Sequence, residues 1–510
     1  MLAAGCTPGL LRVYFSTDGN CFVGVAGPVR LVLSARRRPC RGIELSVERT
    51  HVDVGDRPKS WLASDIVYYF VAGICGLAAG IVGAAFHFIV DRLVVWPSWL
   101  VARLGGGIET VLAAAAIAAV CLVAAFLLTR RFAPEAAGSG VQEIEGAMEG
   151  LREVRWRRIL PVKFVGGVLS LSSGLVAGRE GPTIHMGAAI TAAVSDLLKL
   201  DRMDARGLLA AGAAAGLAAA FNAPLAAILF VIEETRKQFR YTFRSYTGVI
   251  CASAASAMGM EMVGGIAPPL KIACPSMPLW LLPVFVLLGV GLGGLGVAFN
   301  RCLIGALDWT AATFRKVPFV PALVVGAAVG ALAIVLPQAV GGGETLIPNM
   351  VAGKLTLVTL LLLAVLRFAG TMASYPVGVP GGIFSPMLTL ATTIGLAAGL
   401  VIEFALQAGS FTAPPSLGAA FAIAAMGGLF SAAVRAPLVA VVLAVELTGA
   451  YALILPVIVT CVTSNVIADW LGGRPIYEIL LERTLRLSGQ TVPAPAEQEV
   501  SSPVGLDEKR

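Results

Sequence analysis

Charge is scarce in this chain. Asp, Glu, Lys and Arg supply 14% of its 510 residues, against roughly 25% in soluble globular proteins. Histidine is scarcer still, with only His51, His87 and His185. No HExxH pair is present, which excludes a zincin site, and no GxxxxGK[ST] loop is present, which excludes a P-loop ATPase. The nine cysteines, at 6, 21, 40, 75, 121, 251, 274, 302 and 461, are scattered without a CxxC pair. They indicate neither a zinc site nor a disulfide framework. No metal and no cofactor is expected. The opening Met1-Leu2-Ala3-Ala4-Gly5 has no basic n-region, which argues against a cleaved signal peptide.

What is present is apolar. Hydrophobic residues make up 57% and mean hydropathy is +0.84, so a multi-pass membrane protein is expected. The 58 glycines suit close packing of transmembrane helices. The net charge of +7 reports basic cytosolic loops through the positive-inside bias rather than nucleic-acid binding.

Along the chain, residues 1–60 are a poor membrane segment with a basic run at Arg36-Arg37-Arg38. They read as a cytosolic extension, partly disordered. Residues 65–100 have room for two helices split near Ala84, and 106–128 form another span closed by Arg130 and Arg131. A polar interlude over 132–163 follows. Membrane character returns from 164 to about 264, interrupted at 178–182, 199–206 and 222–224. Further apolar segments lie at about 278–300, 319–337, 355–374, 385–406, 417–448 and 451–471. The tail from Ser488 reads as disordered. Many spans are shorter than the ~20 residues of a simple crossing, and broken helices at membrane depth are tolerated where they line a site.

One interruption carries unusual chemistry. Gly178-Arg179-Glu180-Gly181-Pro182 puts two ionisable residues between apolar runs, and such residues mark function in a membrane. Pro182 suits a first helical turn. The flanking glycines leave backbone uncovered, so free N–H groups and a positive helix end face outward as an anion site. The Glu180 carboxylate can occupy that site, or leave it when protonated. A salt bridge to Arg179 is the plainer alternative.

An internal repeat is also visible. Ala223-Pro224-Leu225 leads to Glu233, and Ala436-Pro437-Leu438 leads to Glu446, with the same Pro-to-Glu spacing. A looser echo joins 178–182 with Gly381-Gly382-Ile383-Phe384-Ser385-Pro386. Paired Gly/Pro interruptions in corresponding halves point to a midplane transport site. Helix ends at 138–142, 178–182, 381–386 and 473–477 offer a hydroxyl at Ser139, N–H groups at Ile383 and Phe384, and a phenol at Tyr477. Each has a plainer reading, Ser139 as a turn and Tyr477 as an interfacial anchor. Glu233 and Glu234 precede Arg236 and Lys237, and one of them reads as a solvated terminus. Glu145 could answer its helix dipole, Lys163 could snorkel, and His185 reads as a packing residue rather than a proton carrier.

Taken together these residues resemble the CLC family of chloride channels and chloride/proton antiporters, with the prokaryotic antiporter branch nearest. GSGVQEIEG, GREGPTIHMG, GLAAAFNAPLAAILFVIEE, PGGIFSPML, RAPL and GGRPIY stand in the family's order across about 65–486. The resemblance implies an all-α polytopic fold of two inverted-topology repeats, with tilted and broken helices over 61–265 and 266–486. It implies a homodimer in a bacterial inner membrane with one pathway per subunit, exchanging chloride for protons. Ser139, Ile383, Phe384 and Tyr477 resemble the central anion site and Glu180 the outer gating glutamate. Glu234 resembles the inner proton-transfer glutamate, with Glu233 beside it and Glu145 and Lys163 as a supporting polar pair. Gln142 departs from the family's usual proline, which adds an N–H at a helix start and puts anion preference in question. The short stretch after 486 leaves no room for the regulatory nucleotide-binding domains of many relatives. A passive chloride channel is the alternative within the family, and a membrane-embedded enzyme the alternative outside it. No nucleophile or metal constellation supports the latter.

Overall fold

The computed structural model describes residues 64–490, apart from 236–240, 265–269, 271, 273, 345, 354 and 415, and four short strands nearer the start. The chain divides into two units, Met1–Ser64 and Asp65–Arg510. In the first, β1 (Arg12–Phe15) pairs antiparallel with β2 (Cys21–Gly24), and β3 (Val32–Arg36) with β4 (Glu44–Glu48). The expectations of disorder over 1–60 and in the tail from Ser488 fall mostly outside the described set; of the tail, only Ser488–Gln490 are described, in a turn that closes a helix at Leu487.

The second unit is helical throughout its described residues. Its first part runs α1 (Asp65–Leu93), α2 (Trp96–Leu104), α3 (Ile108–Phe132), α4 (Val141–Glu149), α5 (Trp156–Ser172), α6 (Glu180–Leu198), α7 (Arg202–Phe221), α8 (Pro224–Glu234) and α9 (Phe243–Gly264). Then come α10 (Leu282–Thr313), α11 (Val320–Val335), α12 (Leu346–Ala352), α13 (Leu357–Ser374), α14 (Phe384–Ala408), α15 (Leu417–Val434), α16 (Pro437–Thr448), α17 (Ile454–Trp470) and α18 (Ile476–Leu487). Seven helical stretches among the described residues are long and apolar enough to cross a membrane. The protein is a multi-pass integral membrane protein.

The 29 residues of α1 span about 43 Å at 1.5 Å per residue. That exceeds a hydrocarbon core of about 30 Å, so the helix either tilts or carries its charged ends, Asp65 and Asp91-Arg92, past the core. The expected split near Ala84 is absent. Gly83 costs only about 1 kcal/mol of helix propensity and packs against Ala219, so the helix runs on and the chain turns only beyond Leu93. Apolar side chains such as Phe70, Val120, Leu287 and Val358 stand exposed on α1, α3, α10 and α13, where lipid would meet them. By contrast α7 and α15, rich in Ala and Gly, are buried along almost their whole length, as helices apolar on every side must be.

The repeat is written in the backbone. α7 ends at Asn222 with φ 47 and α15 at Arg435 with φ 70, both left-handed. Ala223 and Ala436 follow with closely similar dihedrals, and Pro224 and Pro437 open α8 and α16. The nine-residue spacing then acquires a reason. α8 and α16 pack against each other, and the glutamate near the end of each caps the start of the other. Glu446 accepts from Leu225 N at 3.1 Å and Ala226 N at 2.7 Å, while Glu233 accepts from Val439 N at 2.9 Å. A carboxylate at its own helix's C-terminus opposes the dipole, but at a partner's N-terminus it stabilises. Losing such a cap costs about 0.5–2 kcal/mol. Glu233→Ala and Glu446→Ala should therefore each lower the melting temperature in detergent while proton coupling persists. Unaltered melting with lost coupling would reject the capping role.

The looser echo is physical as well. Gly178 N donates to Gly382 O at 2.8 Å, and Gly382 N donates back to Gly178 O at 2.7 Å. This two-bond bridge ties the chain entering α6 to the chain entering α14, so the first turns of both helices converge at one place.

Candidate functional site

α6 begins at Glu180 itself and α14 at Phe384. The first N–H groups of a helix have no acceptor within it, so two sets of orphan donors meet beside the glycine bridge. Glu180 is fully buried, and its Oε1 accepts from both the backbone N and the Oγ of Ser385. Ile383 and Phe384 directly precede that amide and are each 1% exposed. The carboxylate therefore lies where the positive end of α14 opens. Glycine makes the room: a Cβ at Gly178 would sit 2.0 Å from Glu180 Oε2, and one at Gly382 would sit 2.9 Å from it.

Arg179 turns the other way. Its Nε lies 2.8 Å from Glu344 and its Nη2 lies 3.2 Å from Asp91. The alternative of an Arg179–Glu180 bridge is thus not what forms. Gly178→Ala should crowd the carboxylate out of its position, because the three atoms nearest an added Cβ all belong to Glu180. Overpacking of about 1–3 kcal/mol corresponds to an occupancy change of roughly 5- to 150-fold. If the carboxylate and chloride share the α14 end, calorimetric chloride titration at high pH should show tighter apparent binding in this variant, and an unchanged affinity would count against that sharing.

Below Glu180 the site narrows to Ser139 and Tyr477. Ser139 sits between Gly138 and Gly140, both left-handed, at φ 63 and 87, and it packs against Gly181. His185 seals the same loop: a Cβ on Gly140 would fall 2.3 Å from its Nδ1. The histidine is a buried packing residue, as the sequence indicated. Tyr477, near the start of α18, is fully buried, and its ring stands edge-on to Phe384 with centroids 5.7 Å apart. Its hydroxyl neighbours Ser139 and has no hydrogen-bond partner among the described residues. Phe384 in turn packs against Phe221, Phe230 and Phe430. Donors thus face one apolar-walled space without a full positive charge in it, which suits a mobile anion better than a tightly held one.

Two cavities approach from the side rich in Arg. One of about 740 Å³ reaches Gly138, Gln142 and Tyr375 past Arg130, Arg152, Arg315 and Arg483. Gln142 is buried, and its Oε1 has no partner among the described residues. The other, of about 490 Å³, is lined by Glu145, Glu233, Glu234, Arg435, Arg474 and Glu478. Glu145 and Glu234 interact within it.

The expected supporting pair of Glu145 and Lys163 does not form, and no ion pair joins them among the described residues. Lys163 is fully buried and donates to Ala136 O at 3.0 Å and Gly138 O at 2.8 Å, so it holds the Ser139 loop in shape. Glu233 is committed to the cap on α16. Among the inner carboxyls this leaves Glu234 and Glu145 together. Ser385 and Glu344 were not legible as site residues. Ser385 stood in the quoted motif, and Glu344 follows three glycines, an available signal of a polar group on a close-packed loop.

The fold and this constellation define a multi-pass membrane protein in which two helices, α6 and α14, converge their amino ends on one buried carboxylate. The comparisons with known proteins are specific. A family model described as voltage gated chloride channel matches residues 121–469. A protein named H(+)/Cl(-) exchange transporter ClcA from Vibrio parahaemolyticus is 43% identical over 428 residues, covering 82% of this chain and 89% of that protein. Its namesake from Citrobacter koseri is 40% identical, covering 81% and 88%. The crystal structure of a slow cyanobacterial Cl-/H+ antiporter superimposes with a TM-score of 0.78 at 35% identity, covering 83% of this chain and 99% of that one. The chain belongs to the voltage-gated chloride channel (CLC) family.

Proposed function

We propose that this protein is a chloride/proton antiporter of a bacterial inner membrane, acting as a homodimer with one pathway per subunit. The observation that carries this reading is the Glu180 carboxylate seated on the amino end of α14. A carboxylate there stands where a chloride ion would be stabilised by the same groups. The two anions therefore compete. Protonation cancels the carboxylate's attraction to the helix end, so the side chain leaves with its proton and chloride takes its place.

On this reading the halves 61–265 and 266–486 each supply one converging helix end. The Arg-rich cavity is the inner anion entrance, and the cavity holding Glu234 and Glu145 is the inner proton entrance. Ser139, Tyr477 and the amides of Ile383 and Phe384 bind the central anion. Separate inner entrances with a shared outer gate give opposed fluxes without a large rocking motion. The test is proton uptake by proteoliposomes under an imposed chloride gradient. Uptake that persists with the voltage clamped by ionophore supports exchange, and its absence contradicts it.

The orphan hydroxyl of Tyr477 makes a further expectation. Removing one hydrogen bond to a charged group costs about 1.5–3 kcal/mol. Tyr477→Phe should therefore weaken central chloride binding by about tenfold or more, read by calorimetry, with the fold intact. Unchanged affinity would remove Tyr477 from the site.

A further inference from the structure

A second carboxylate stands over Glu180 at the outer mouth. The chain between α11 and α12 turns through Gly341 and Gly343, at φ 70 and 89. Arg367, fully buried on α13, anchors it: its guanidinium donates to Gln338 O at 2.7 Å, Val340 O at 3.2 Å and Gly341 O at 3.3 Å. Gly341 N adds a bond to Gly174 O at 2.9 Å. A connection held this firmly presents Glu344 in one place.

Glu344 has two polar partners. Arg179 Nε meets its Oε2 at 2.8 Å, and Ser385 Oγ meets its Oε1. The same Ser385 Oγ meets Glu180 Oε1. A serine hydroxyl has one proton to donate and can accept others. With a carboxyl on each side, hydrogen bonds to both at once call for one proton beyond the hydroxyl's own. The arrangement is thus a continuous line of oxygens, Glu344–Ser385–Glu180, along which a proton can be passed. Its outer end is open, because the Glu344 side chain is 16% exposed and lines a cavity of about 230 Å³ with Asp91, Arg179 and Gly342. Its inner end is the fully buried Glu180.

We propose that Glu344 is the outer proton-transfer residue of this protein, with the Ser385 hydroxyl as the relay between it and Glu180. In the inward step the Glu344 O–H bond breaks as an O–H bond forms on Ser385. The original Ser385 O–H bond breaks as one forms on Glu180. One proton has moved, Ser385 is again neutral, Glu344 is ionised against Arg179, and Glu180 is neutral and released from α14. Reversal returns the proton to the outer solution. The charged and titratable groups around Glu344 all bear on this step. Arg179 pairs with Glu344, Asp91 shares Arg179, and His87 on α1 lies within the electrostatic reach of Arg179. Glu180 lies beyond the serine, and Arg367 is engaged with carbonyls beneath the loop.

This inference rests on Glu180 being the gate, and the test separates the two. Exchange is measured in orientation-selected proteoliposomes with outer and inner pH varied independently. Glu344→Gln should slow exchange by about 100-fold or more, the scale of a general acid–base group. It should also flatten the dependence on outer pH while leaving the inner-pH profile as in the unaltered protein. Ser385→Ala, which keeps the backbone N–H to Glu180, should do the same, and Glu344→Asp should restore part of the outer-pH dependence. A merely structural Glu344 would shift rate at both faces alike. Outer-pH profiles in Glu344→Gln and Ser385→Ala that superimpose on the unaltered protein would overturn the relay. If Glu344→Gln fails to fold, the serine variant decides. If the unaltered protein shows no chloride-driven proton uptake, it is the antiporter reading that fails.

Discussion

Glu180→Gln and Glu180→Ala vesicles should pass chloride freely while chloride-driven proton uptake falls to background, a loss of about 100-fold or more on the scale of a removed proton carrier. The expectation follows from one side chain holding two roles. The ionised carboxylate occupies the amino end of α14 through Ser385, and so excludes the anion. In the proposed mechanism its protonated form carries the proton past the glycine bridge. Glutamine keeps the size but has neither the charge nor a titratable proton, and alanine lacks all three. Both variants leave the helix ends open to chloride at all times, so chloride flux loses its dependence on pH as well. Proton uptake surviving in either variant would mean that the proton crosses by another route.

Glu234→Gln should also abolish proton movement, again by about 100-fold or more, but with a different chloride signature. The gate is intact in this variant, so the ionised carboxylate still competes and chloride moves slowly rather than freely. The assignment rests on position. Glu234 and Glu145 meet in the inner cavity, whereas the adjacent Glu233 is occupied in capping α16. Unchanged coupling in Glu234→Gln would transfer the inner role to Glu145, and Glu145→Gln would then decide.

The parts of this arrangement that were legible in the sequence are those written in local chemistry. Pro182, Pro224 and Pro437 mark helix starts because proline tolerates few other places, and the glycines beside them mark where two backbones can approach. The repeat was legible as a spacing, but its reason was not. Nothing local says that Glu233 reaches an amide on α16, because that contact spans 206 residues of sequence. Lys163 was misread for the same cause. A lone lysine ahead of an apolar run resembles an interfacial or ion-paired group, and only the fold brings Ala136 O and Gly138 O to it. The expected break near Ala84 failed in the opposite sense. Apolar length invites two short spans, yet one helix carries 29 residues without a break when no proline or left-handed residue stops it. Glu344 was missed because an acid after glycines in a connector looks solvated until Arg179 and Ser385 are seen beside it.

The central claim is that chloride and protons are exchanged because Glu180 and chloride compete for one helix end. The reversal potential of the reconstituted protein, measured across a pH gradient at fixed chloride, tests it most directly. Strict exchange predicts a reversal potential displaced from the chloride equilibrium value and moving in proportion to the pH difference, with the displacement vanishing in Glu180→Gln. A potential that stays at the chloride value whatever the pH gradient would mark a passive chloride channel and contradict the account.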